Sequence, residues 1–197
     1  LSSDTGKKAR GVRAPRADAL RNRDMLIQVA RAAFAAATDT VSLEGIAREA
    51  GVGIGTLYRH FPTREALVEA VYAAELDEVT GCVATLLAEL PPDAALRAWM
   101  GRYAAFVATK RGMAETLRAG WASGRIATPS TRERITAAIA TILASGAQAR
   151  SLRGDVAPDD VTALLLGIFL STAAAETPEQ TERLLDLVMD ALREPIP

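Results

Sequence analysis

Apolar residues recur along this chain every three to four positions, the spacing of one helix face, and the interruptions fall on glycine, proline or short polar clusters. Leu20, Ile27, Ala30, Phe34 and Ala37 predict a first helix over residues 18–37, followed by a loop over 38–41. Ser42 is placed to cap a second helix that carries Leu43, Ile46, Ala47 and Ala50 on one face. After the turn Gly51-Val52-Gly53, a third short helix turns Leu57 and Phe61 inward and Thr56, Tyr58, Arg59 and His60 outward. Thr63 is a plausible cap for a fourth helix that runs to Leu90 and stops at Pro91-Pro92. Helices are expected over 93–110 and 112–122, then a break at Ser123-Gly124-Arg125 that Pro129 ends. A seventh helix over 130–149 carries Ile135, Ile139, Ile142 and Leu143, and a polar loop over 150–157 leads to an eighth over 158–176. Thr177 and Pro178 open a ninth as cap and first residue. The pattern is all-α, about nine helices, without strand-like alternation or an internal repeat.

Two short helices joined by a glycine turn form the helix-turn-helix signature. In the third helix Gly53 and Gly55 leave the N-terminal end uncluttered, and Thr56 offers a methyl for thymine and a hydroxyl for a base edge or phosphate. Tyr58 and His60 can donate to phosphate oxygens, and Arg59 reaches a guanine or a phosphate. Arg64, opening the next helix, is placed to hold another phosphate. The same pattern also fits Tyr58 as a half-buried core residue and His60 as a cap or surface group.

Composition narrows the setting. A chain of 197 residues that is 49% hydrophobic can bury a sizeable core in one domain or two small ones. It has no run of apolar residues long enough for a membrane span, and its start, LSSDTGKKAR, is no secretory signal. A lone cysteine, Cys82, rules out an intramolecular disulfide and fits the reducing cytoplasm. The net charge of −1 hides a basic start: residues 7–31 hold eight lysines and arginines against Asp18 and Asp24. Residues 1–17 read as a disordered basic tail, either an arm along DNA or a solubilising segment.

The run SLEGIAREAGVGIGTLYRHFPTREALVEAV, residues 42–71, resembles the N-terminal domain of TetR-family transcriptional regulators. The resemblance is specific over about residues 20–72 and architectural beyond. It implies Tyr58, His60 and Arg64 on phosphates, Gly55 and Thr56 nearest the bases, and Ser42 on the backbone; Gly53, Ile54, Arg59 and Thr63 are added to the expected interface from their places around the third helix. Two positions depart from the family's usual run: Gly53 stands where serine is common, and Arg64 where lysine is usual.

The resemblance also implies a C-terminal domain that binds a small inducer and forms a homodimer. Residues 96–121 gather bulky groups that suit a largely apolar or aromatic ligand: Trp99, Met100, Tyr103, Phe106, Met113, Leu117 and Trp121. Ile139, Leu143 and Phe169 are added to that expected lining, although ordinary core packing explains each residue as well. The last two helices read as a dimer interface through Val161, Leu164, Leu165, Ile168, Ser171, Leu184, Leu185, Val188 and Leu192.

The organisation expected is therefore a tail over 1–17, a DNA-binding domain over 18–64 and a ligand-binding and dimerisation domain over 65–197. No catalytic triad, phosphate loop or zinc spacing is present, so neither an enzyme nor a metal or other cofactor is expected. The function expected is a repressor released from a palindromic operator by a small molecule. An activator, or a helical dimerisation or adaptor protein without ligand response, is the alternative.

Overall fold

A computed structural model describes residues 14–36, 41–123, 130–172 and 178–194. Among these every regular element is a helix: α1 Ala14–Ala36, α2 Leu43–Glu49, α3 Ile54–His60, α4 Arg64–Gly81, α5 Val83–Glu89, α6 Pro92–Gly112, α7 Ala114–Ala122, α8 Thr131–Gln148, α9 Pro158–Ser171 and α10 Pro178–Leu192. The nine expected helices are all there, the fourth in two segments. Its break falls where Thr80 Oγ1 bonds back to the Leu76 carbonyl at 2.8 Å and Gly81 lowers helix propensity, so Cys82 becomes the joint. The first helix begins at Ala14 instead of 18, because a proline in the first turn lacks only an N–H that has no helical partner anyway. Most of the expected basic tail, the expected loop over 38–41 except Val41, the expected break after Ser123, residues 173–176 of the expected eighth helix and the Thr177 cap lie outside the described residues.

Local signals set the helix starts. Ser42 Oγ accepts from the Gly45 amide at 3.2 Å, and Thr63 Oγ1 accepts from Ala66 at 3.2 Å. Gly51 has φ +69°, the left-handed region that glycine enters at least cost, which turns the chain between α2 and α3.

One contiguous core joins the N-terminal head to the body, from Leu26, Ile46, Leu57 and Phe61 to Leu185 and Leu192. The long helix α4 is its spine. Leu67, Val68, Val71, Tyr72, Leu76 and Val79 are buried along one stripe, each aliphatic side chain contributing roughly 1.5–3 kcal/mol of hydrophobic stabilisation. α1 packs on α4 and α6, and an ion-pair cluster fastens it: Arg31 engages both Glu75, which is buried, and Glu78. Burial pushes the Glu75 carboxyl above the usual range, with Arg31 opposing. At the far end Arg97 of α6 holds Glu182 and Asp186 of α10. Among the described residues no helix is long and apolar enough to cross a membrane.

Candidate nucleic-acid interface and aromatic cluster

α3 is anchored by Leu57, fully buried, and by Phe61 just past its end, over which Arg23 of α1 is stacked at 5.4 Å. Its other face is open. Ile54, Gly55, Tyr58 and Arg59 are exposed, Thr56 and His60 are half-buried, and Tyr58 is 45% exposed. His60 also borders an open cleft with Ala19, Leu20 and Arg23, so α1 adds a basic flank to this surface. Ser42 and Thr63 serve as helix caps and are exposed beside it.

The glycines carry the most specific geometry here. Gly53 caps α3 with φ −72° and no side-chain bond. A Cβ on Gly53 or Gly55 would meet nothing within 4 Å, and neither residue has left-handed backbone. The fold itself has no need of glycine at either position, although glycine inside a helix costs about 1 kcal/mol relative to alanine.

Arg64 has a different place from the other expected contacts. It is half-buried: Nη1 donates to the Val41 carbonyl at 2.6 Å, Nε to Thr116 Oγ1 at 3.4 Å, and its guanidinium lies 5.7 Å from the Phe34 ring centre. It thus ties the loop before α2 to α7 of the body, and the spacing that put a basic residue at a helix start gave no sign of these partners.

In the body the residues expected to line a ligand site are packed in one core, Trp121 at its edge. Trp99 lies 5.3 Å from Tyr103, Tyr103 is 6.2 Å from Phe106 and edge-on to Phe169 at 5.2 Å, and Met100, Met113, Leu117, Ile139 and Leu143 are buried in the same core. Two residues join them that sequence reasoning missed. Tyr72 of α4 is 5.6 Å from Phe106 and edge-on to Trp121 at 6.1 Å. Lys110 Nζ stands over both Tyr72 and Trp121, at 5.6 and 5.4 Å from the ring centres. The signal for Lys110 was present, since it continues the stripe Trp99, Tyr103, Phe106 by one more turn. Burial pushes the Tyr103 phenol up to about 12, and it lowers the pKa of the Lys110 ammonium.

The residues expected at an interface on α9 and α10 divide between two faces of these helices. Val161, Leu165, Ile168, Leu185, Val188 and Leu192 are buried in the chain's own core, while Leu164 and Ser171 are exposed and Leu184 is half-buried. Each helix must first seat one stripe in its own body. The surface left over carries Leu164, Gly167 and Leu170 on α9 and Leu184 and Leu187 on α10. Among the described residues no three His, Cys, Asp or Glu side chains gather as a metal site.

Two family models match separate parts of the chain. The family described as "Bacterial regulatory proteins, tetR family" matches residues 26–71, and "Transcriptional regulator SbtR-like, C-terminal domain" matches 91–194. Curated HTH-type transcriptional regulators of Staphylococcus aureus are 38% identical over 63 residues, and this match spans only 34% of their length and 32% of this chain. Solved structures extend the likeness. The TetR transcriptional regulator SCO0520 from Streptomyces coelicolor is 45% identical over 88% of this chain and 99% of its own, with a TM-score of 0.82. A TetR transcription regulatory protein from Mycobacterium vanbaalenii is 34% identical over 90% of this chain and 98% of its own, with a TM-score of 0.70. With head and body matched separately, and whole relatives aligned across both, the chain belongs to the TetR family of transcriptional regulators.

Proposed function

We propose that this protein is a homodimeric repressor in the cytoplasm that holds a palindromic operator and releases it when a small, largely apolar or aromatic molecule binds the body. As a member of a family of transcriptional regulators it is not an enzyme. The observation that carries the DNA-binding part is the open end of α3, where Gly53 and Gly55 leave room no intramolecular neighbour uses and Tyr58 and Arg59 stand exposed. On this reading Gly55 and Thr56 approach the bases, and Ile54 and Arg59 flank them. Tyr58, His60 and Thr63 hold phosphates, each hydroxyl or imidazole able to donate one bond to an oxygen, and Ser42, whose Oγ donates to Glu44 Oε2 at 3.0 Å, joins them only by giving up that carboxylate. Arg64 positions the head from behind and does not touch DNA.

A dimer gives this chemistry its geometry, since two recognition helices about one DNA turn apart read the two halves of a palindrome. The exposed leucines of α9 and α10 support the pairing. Release requires the ligand to bind one arrangement of head and body better than the other. The contacts of α4 and α7 with the head offer the route, because Tyr72 and Trp121 in the cluster belong to those same two helices.

Selection from random duplex DNA followed by a salt titration tests the reading. A palindromic site should emerge, with log affinity falling steeply against log salt, at a slope of about −0.9 per phosphate neutralised. Recovery of no preferred sequence, or binding indifferent to salt, would contradict it.

A further inference from the structure

The two tryptophans of the body differ in one respect. Trp99 donates its indole N–H to the Val79 carbonyl at 2.8 Å. The Trp121 Nε1 is also shut off from solvent and has no hydrogen-bond partner among the described residues. A buried donor left unpaired costs about 1–3 kcal/mol. Lys110 beside it is also incompletely matched. Arg31, Arg97 and Arg134 each meet a carboxylate, whereas Lys110 has no carboxylate within ion-pair reach among the described residues and rests only against ring faces. Burial lowers its pKa with nothing to offset it, so its charge is held at a cost. Tyr72 contributes little to either group, because its hydroxyl is engaged with Thr131 Oγ1 at 2.7 Å.

We propose that the corner bounded by Tyr72, Lys110 and Trp121 receives the carboxylate of an apolar or aromatic acid, Lys110 supplying the charge and Trp121 the N–H. This rests on reading the aromatic cluster as the ligand site, the rings parting to admit the ligand. Two donors without an acceptor call for a ligand that brings acceptors. One charge calls for a monoanion: among the described residues Lys110 is the cation that stands over these rings, and it has no carboxylate partner, whereas Arg132, near Tyr103, faces Asp159 at 3.7 Å. The rings of Phe106, Tyr103 and Phe169 continue inward from the corner and suit the apolar body of such an acid.

Calorimetric titration of the full chain with phenylbutyrate and decanoate, with their primary amides, and with tetraphenylphosphonium as an apolar cation tests the proposal. Each acid should bind about tenfold or more tighter than its amide, the scale of a charge-assisted bond. Lys110→Met should abolish that preference while leaving the amides unchanged, Lys110→Arg should keep it, and Trp121→Phe should weaken acid and amide alike. No binding by either acid, equal binding by acid and amide, tighter binding of the cation, or an acid preference that survives Lys110→Met would each overturn it. Should a Lys110 variant fail to fold, the wild-type acid-to-amide ratio and Trp121→Phe still decide. Operator release is scored separately. An acid that binds at this corner without releasing DNA counts against induction and leaves the anchor standing. A neutral or cationic compound that alone binds and releases DNA does the reverse.

Discussion

Gly112, the last residue of α6, lies against Phe34 near the end of α1 so closely that a Cβ there would overlap the Phe34 carbonyl oxygen and stand 2.8 Å from its carbon. Backbone cannot rotate out of the way as a side chain can. Gly112→Ala should therefore push the head off the body and lower stability by about 1–3 kcal/mol. Gly101→Ala in the middle of the same helix, where a Cβ meets nothing within 4 Å, should raise stability by up to about 1 kcal/mol. Thermal melts of the two variants check the opposite signs; a harmless Gly112→Ala would mean that α1 and α6 slide freely.

Arg64 reinforces the same joint, and its role separates cleanly from a phosphate contact. Arg64→Gln forfeits the charge-assisted bond to Val41 O and the link to Thr116, and should cost about 1–3 kcal/mol of stability. A residue that only neutralised a phosphate would instead lower the salt slope of operator binding by about one and leave the melt unchanged. Measuring both on one variant assigns the residue, and an unaltered melting temperature would return it to the DNA surface.

What the sequence showed and what it hid follow one division. Helix starts depend on neighbours in the chain, so Ser42 and Thr63 were legible as caps before any tertiary contact was known. The aromatic stripe of α6 was legible because its period lies within a single helix. Arg64 was not, because its partners Val41 and Thr116 are 23 and 52 residues away. Leu165 and Leu164 are adjacent and identical in type, yet one is fully buried and the other 49% exposed. Only the packing of α9 on α8 and α10 decides which leucine faces the chain's own core.

Tyr103 provides a handle on the aromatic cluster that needs no ligand. Burial pushes its phenol up to about 12, against about 10 in an unfolded chain. Between those values only the unfolded chain releases the proton. The stability from this group is thus fully present below about pH 10 and is lost as pH rises through 12. Tyr103→Phe removes the term. Denaturant unfolding at pH 9 to 12 should show wild type losing more stability than the variant; parallel losses would mean that the phenol reaches solvent.

Gly55 should separate folding from binding. Nothing in the fold crowds a Cβ there, so Gly55→Ala should stabilise α3 by roughly 0.5–1 kcal/mol. The same methyl would stand between the helix backbone and the base edges, so operator affinity should fall, by about tenfold where one close contact is lost. A variant both more stable and equally tight on DNA would show that α3 docks by another face.

Leu187 and Leu185 are two residues apart on α10 and should answer differently when changed. Leu185 is fully buried in its own chain, and Leu185→Ala should cost about 2–5 kcal/mol of stability whatever the oligomeric state. Leu187 is 64% exposed, close in the helix to the half-buried Leu184. Leu187→Glu places a charge on the proposed four-helix seam, where a partner subunit would have to bury it. The subunit's own core is untouched, so the monomer should keep its helical content. Light scattering at micromolar concentration should then report a dimer for wild type and a monomer for Leu187→Glu. Operator affinity should drop with it, because a single head reads only half of a palindrome. A Leu187→Glu protein that stays dimeric and binds DNA unchanged would move the interface away from α10.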